Sequence, residues 1–197
     1  KQFLSALGME ISSRVLNIGG IAADAAKMSG NETSDLNCRD GAAEERMKEK
    51  IREAKEAGDT LGGVFEVVVT GAPVGLGSHI QWDRRLDAKL AAAMMSVQAI
   101  KGVEIGDGFG YAALQGSLAH DEMFYDEAGS VVRRTNHAGG LEGGMTNGEP
   151  IVIRAVMKPI PTLMKPLHSV DIATKQPVMA SKERSDVCDV RIRPVAP

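Results

Sequence analysis

The chain has 197 residues, enough for one sizeable domain with its own core, and its 43% hydrophobic and 25% charged content argues against disorder and against a membrane protein. A net charge of −3 provides no general basic field for nucleic acid, so any anionic ligand has to be met by a local group of cations. No apolar run is long enough to cross a bilayer, and Lys1 does not open a signal peptide. Cys38 and Cys188 have no metal-ligand spacing around them, which fits free thiols in a reducing cytoplasm. Aromatic residues are scarce at 4%, whereas methionine reaches 10, so the core must be filled by small aliphatic side chains and flexible Met.

The first residues, KQFLSALG, read as the last turns of a helix with Gly8 as its stop. Helices seldom open a domain half-finished, so further sequence is expected upstream of Lys1. MEISSRVLNIGGI then reads as a strand ending at Gly19-Gly20, and residues 24–40, small and turn-rich, as a surface loop. From Ala42 to Ala57 the spacing of Met47, Ile51 and Ala54 predicts a helix whose charged face is solvated. VFEVVVTGAPVG follows as a strand and turn. DRRLDAKLAAAMMSVQAI predicts a second helix, capped by Asp83, with Leu86, Leu90, Ala93 and Val97 as its stripe. Its other side is also apolar or small, so this helix is expected to be buried on several sides, between layers. KGVEIGDGFG gives a short strand, and MFYDEAGSVVRR a hairpin. PIVIRAVMKP is a strand stopped by the prolines of KPIPT, and the rest alternates short strands and turns. One α+β domain over residues 1–197, with helices packed on antiparallel sheet, fits this order.

Between the hairpin and the last long strand lies AGGLEGGMTNG, with five glycines in eleven residues. Such a run either makes a complex turn between strands or strips the backbone so that a planar ligand or a phosphate reaches its N–H groups. It is neither a dinucleotide fingerprint nor a Walker loop. Its residues alone leave both readings open.

The blocks GDTLGG (58–63), PVGLGS (73–78), RLDAKLA (85–91), MSVQAIKGVEIGDGF (95–109), HDE (120–122), AGGLEGGMTNGEP (138–150), RAVMKPIPT (154–162) and ERSDVC (183–188) resemble chorismate synthase, in that family's order. They cover most of the chain from Gly58 to Cys188; residues 1–57 fit more loosely. The resemblance implies a β-α-β sandwich, helices between two antiparallel sheets, here incomplete at both ends. It implies a lyase of the shikimate pathway, serving aromatic amino acid biosynthesis. The reaction is the 1,4-elimination of phosphate from 5-enolpyruvylshikimate 3-phosphate to give chorismate, with reduced FMN and no net redox change. A cytoplasmic homotetramer is implied too, as is an association with NADP, although the chain has no nicotinamide fingerprint.

The resemblance also assigns residues. Gln98 and Ala99 correspond to FMN contacts after the second helix, and Gly143 to a third. Lys158, Pro159, Ile160, Pro161 and Thr162 form an FMN-binding loop, where a nearby cation favours negative charge on reduced flavin. Arg184 contacts both cofactor and substrate, its guanidinium fork suiting an oxyanion. Asp186 is the catalytic residue, a carboxylate placed to manage the proton at flavin N5. Ser185 stands between them. None of His79, His120, His137 and His168 matches the family's catalytic histidines, which lie in an N-terminal part outside this chain along with most of its arginine cluster. After Cys188 the chain departs from the family, with Arg191 and Arg193 where small apolar residues are usual. Two readings follow: a portion of the enzyme, inactive by itself, or a non-catalytic remnant that binds flavin or oligomerises.

Overall fold

A computed structural model describes residues 2–27, 34–184 and 186–190. Along the chain run α1 (Gln2–Ala6), β1 (Glu10–Ile18), β2 (Ile21–Ala22), α2 (Gly41–Glu56), β3 (Gly63–Thr70), α3 (Leu86–Met95), β4 (Ile100–Ile105), α4 (Gly116–Ala119), β5 (Met123–Tyr125), β6 (Val131–Arg133), β7 (Leu141–Glu142), β8 (Met145–Thr146), β9 (Ile151–Met157), β10 (His168–Val170) and β11 (Pro177–Met179). The main sheet has the order β2-β1-β3-β9-β4, and β5-β6, β7-β8 and β10-β11 are separate antiparallel hairpins. The fold is mixed α and β with antiparallel sheet and few helices, as the sequence implied. No helix among the described residues is long and apolar enough to cross a membrane. Contacts gather into two compact units, residues 2–14 with 66–156, and residues 15–65 with 157–190.

In the first unit the core is Ala72, Leu141, Ile151 and Ile153, onto which α3 lays Leu86, Leu90 and Met94. This corrects the expectation for α3. None of its residues is buried, and Ala88, Lys89, Ala92, Ala93 and Met95 face solvent. A helix rich in alanine has little amphipathic contrast, so its sequence could not say how many sides are covered. Asp83 is not its cap either. Trp82–Arg84 form a 3-10 turn, and the first helical N–H, on Leu86, donates to the Gly144 carbonyl at 2.8 Å.

Across β1, β3 and β9 of the same unit runs a row of charge. Glu66, its side chain 4% exposed, accepts from Arg14 Nε at 2.7 Å on one oxygen and from Arg154 Nε at 3.0 Å on the other. Arg154 Nη1 also donates to the Gly106 carbonyl at 3.1 Å, tying β9 to the end of β4.

In the second unit α2 is capped by Asp40, whose Oδ1 accepts from the backbone N–H of Ala42 and Ala43. Those bonds, together with one from the Asp24 N–H, hold its carboxyl below the usual range. Residues 34–40 are not all surface as expected, because Leu36, Cys38 and Asp40 are buried. Buried Glu44 receives the Leu36 N–H at 3.0 Å, which draws the loop inward. Neither Cys38 nor Cys188 is in a disulfide; burial pushes the Cys38 thiol up, and the carboxylates of Asp40 and Glu44 push it further.

The Glu66 row gives a direct test. Glu66→Ala leaves two guanidiniums facing each other with nothing between them, and urea denaturation is expected to register a loss of about 3 kcal/mol.

Candidate functional site

Two places in the fold carry the residues singled out from the sequence, one in each unit. In the second unit a cleft of about 880 Å³ is lined by Thr162, Arg184 and Asp186 together with Lys55, Asp59, Thr60, Glu183, Cys188 and Asp189. That volume lies in the range of small-molecule sites. Three expected residues from two separate motifs therefore meet in one place. Arg184 and Asp186 are exposed and Thr162 half-buried. Ser185 lies outside the described residues.

What brings these motifs together is the run Gly58 to Leu61. Its Thr60 hydroxyl donates to the Ile160 carbonyl at 2.7 Å, fixing the proline-stiffened loop. The Leu61 N–H donates to the Val187 carbonyl at 2.8 Å, and the Gly58 carbonyl accepts from the Lys165 N–H at 3.1 Å. The two segments are also joined directly, Glu183 N–H to Leu163 carbonyl at 3.1 Å. Within 158–162 only Thr162 lines the cleft; Lys158, Pro159 and Pro161 are exposed and Ile160 uses its carbonyl as the anchor.

The first unit holds Gly143, Gln98 and Ala99. Gly143 and Gly144 make the turn of the β7-β8 hairpin with φ of 58° and 85°. A Cβ on Gly144 would strike Arg85 and the Ser78 carbonyl at 2.7 Å, whereas one on Gly143 would meet nothing within 4 Å. The strap 73–78 lies along the hairpin: Thr146 Oγ1 donates to the Pro73 carbonyl at 2.5 Å and accepts from the Leu76 N–H at 2.9 Å. So the pair is a tight turn, and its first member keeps open backbone; the two readings of the glycine run are compatible. Gln98 and Ala99 follow the other end of α3, Gln98 exposed and Ala99 at φ 66°, a left-handed conformation unfavourable for alanine. The N-terminus of α3 meets Gly144, so ten residues of helix, about 15 Å, separate these two parts.

The glycine run is held by Asp121, a residue with no role in the sequence reading although it lies in the HDE block. Buried at 8% exposure, its Oδ1 accepts from Thr135 Oγ1 at 2.6 Å and the His137 N–H at 2.8 Å, and its Oδ2 from the Ala138 N–H at 2.9 Å. Asn136 continues the support, accepting from the Gly140 N–H and donating to the Pro150 carbonyl, each at 2.8 Å. His137 Nδ1 sits 2.6 Å from Asp107 Oδ2, at the end of β4. Among the cleft residues, Lys55, Asp59, Thr60 and Asp189 were likewise not anticipated; for Thr60 the GDTLGG block was the available signal. No group of His, Cys, Asp and Glu able to hold a metal ion occurs among the described residues.

Burial pushes the Asp121 carboxyl up, but the hydrogen bonds from Thr135, Ala138 and His137, with the His137 ring nearby, outweigh it and leave it below the ordinary 3.8. A carboxyl lowered by folding stabilises the fold fully above its unfolded value and loses that contribution as pH falls through its folded value. Asp121→Asn turns an N–H₂ toward a backbone donor, so it is expected to cost about 2 kcal/mol at neutral pH. Paired denaturation curves should keep that gap above about pH 5 and close it below about pH 4; a gap constant down to pH 2 would remove the carboxylate from this account.

Comparison with known proteins places these features. A family model described as chorismate synthase matches residues 1–196. The chain is 56% identical over 203 residues to a chorismate synthase of Geobacter metallireducens, covering 96% of this chain and 52% of that protein. It is 56% identical over 194 residues to one from Desulforamulus reducens, covering 95% and 50%. A crystal structure of chorismate synthase is similar with a TM-score of 0.75 at 48% identity, covering 82% of this chain and 52% of the other. The chain thus spans about half the length of the curated relatives it matches.

Proposed function

The chain belongs to the chorismate synthase family, and from that premise we propose that it supplies flavin-holding residues to the elimination of phosphate from 5-enolpyruvylshikimate 3-phosphate. The observation that carries this is the meeting of Thr162, Arg184 and Asp186 in one cleft. A carboxylate and a guanidinium two residues apart match the polar edge of an isoalloxazine ring, one accepting an N–H and the other facing an oxyanion. The open backbone at Gly143 suits the close approach of a flat ring. These residues fit reduced FMN, which when bound supplies an electron-rich ring to the elimination.

In this reading Asp186 would accept the hydrogen bond from flavin N5–H and hold or return its proton, while Thr162 and Arg184 would orient the ring and the substrate's anionic group. Lys158, Pro159, Ile160 and Pro161 shape the loop that presents Thr162, and Gln98 and Ala99 offer a further contact. We extend the reading to a cytoplasmic homotetramer and to the family's association with NADP. Support for assembly is the apolar surface left open, with Phe109, Tyr125 and Ile172 at 82%, 78% and 91% exposure.

For the 197-residue chain by itself we propose flavin binding without turnover, because the family's catalytic histidines and most of its arginine cluster match nothing here. Titration of FMN fluorescence should detect binding, and Arg184→Ala should weaken it by roughly tenfold, the value of one charge-assisted pair. Incubation with the substrate and pre-reduced FMN should release no phosphate. Turnover comparable to a full-length relative would overturn the second half of this proposal, and equal affinity in the Arg184 variant would overturn the first.

A further inference from the structure

Among the described residues, the buried side-chain polar atom without a hydrogen-bond partner is Nε of Arg133. Each of the other two nitrogens of that guanidinium has an acceptor. Its Nη2 donates to Glu142 Oε2 at 2.8 Å and its Nη1 to the Asn147 carbonyl at 3.2 Å. Asn147 Nδ2 donates to the same Glu142 oxygen at 2.8 Å, which closes a ring of three residues. Glu142 immediately precedes Gly143, and Asn147 immediately follows β8. The clamp therefore grips both legs of the glycine turn.

Such a residue is a poor way to stabilise a fold. The Arg133 side chain is 13% exposed, so a charge is taken largely out of water and one of its N–H groups is left unanswered. A methionine of similar length would bury its methylenes there without either penalty. What the arginine provides is geometry: a planar fork reaching two acceptors on different legs, which a lysine cannot reproduce. The hairpin needs this, because its strands have two residues each and pairing of that length does not define a twist. Gly144 is pinned through its carbonyl by the N–H groups of Leu86 and Ser78, at 2.8 and 3.3 Å, while Gly143 is open.

We propose that Arg133 is a positioning residue which, with Glu142 and Asn147, sets the angle at which the Gly143 backbone is presented to the flavin. This rests on the reading of Gly143 as a flavin contact. Arg133 touches no reacting atom; it acts through the turn.

The test uses the full chain with Arg133→Met and Arg133→Lys, and two readouts. The first needs no flavin: residue-resolved hydrogen exchange at the amides of Gly143, Gly144 and Met145. The second is FMN affinity set beside the urea unfolding midpoint. Arg133→Met is expected to speed exchange at the turn and weaken FMN binding, each by about tenfold, the equivalent of one lost bidentate contact, with the midpoint unchanged or raised. Arg133→Lys should fall between Met and wild type. Unchanged exchange at the turn overturns the clamp, and an affinity loss that tracks a falling midpoint makes Arg133 structural only. Faster exchange with unaltered affinity keeps the clamp, removes Gly143 as a flavin contact, and overturns the proposal in that form. A wild-type chain with no measurable FMN affinity counts against the flavin reading, while the exchange comparison still decides the clamp.

Discussion

The cleft depends on a short stretch of main chain. Gly58 to Leu61 gives the Gly58 carbonyl to Lys165, the Thr60 hydroxyl to Ile160 and the Leu61 N–H to Val187. These three bonds hold two irregular segments, neither of which has a ladder of its own at the cleft. A buried main-chain carbonyl left without a donor costs about as much as a lost hydrogen bond, so the segments are not free to choose other positions. Once they are fixed, Thr162 faces the same space as Arg184 and Asp186. The chemistry proposed for the cleft follows from that placement more than from any property of the three side chains.

Regular elements were largely legible in the sequence, because their signals are local. The α2 helix announced itself by Met47 and Ala54 at helical spacing, both buried, and the β5-β6 hairpin by alternation around a glycine turn. What could not be read was whatever a distant residue decides. Asp40, not the residues after it, starts α2, and the same carboxylate draws in Asp24 from sixteen positions away. The start of α3 is set by the Gly144 carbonyl, far along the chain, so the nearby Asp83 misled. Exposure of the outer face of α3 was unreadable for a further reason: alanine suits a buried helix and a solvated one equally.

The site residues divide along the same line. The family resemblance supplied their positions, and the structure shows which of them share a cleft. Lys158 and Thr162 share a five-residue motif, yet only Thr162 lines the cleft. Gly143 and Gly144 look interchangeable in the sequence, but only Gly143 faces open space. Supporting residues such as Asp121 and Arg133 carried no chemical signature, since a carboxylate binding three backbone or hydroxyl donors looks like any other carboxylate until the donors are located.

Charge in the cleft narrows what part of a flavin belongs there. Asp59, Glu183, Asp186 and Asp189 set four carboxylates against the two cations Lys55 and Arg184. A phosphate carrying close to two negative charges would be repelled by that excess, at a cost that grows as water is displaced. A ring edge, with one N–H to offer and one oxygen to be met, carries less charge into the cleft and would find both partners in Asp186 and Arg184. A flavin bound here as proposed would therefore enter ring first, with its phosphate directed away from the carboxylates. Arg184, with Glu183 before it and Asp186 two positions after it, is the guanidinium of the cleft and suits an oxyanion of matching geometry. On the proposed reading, selectivity in this cleft would come from what the carboxylates refuse as much as from what the arginine attracts.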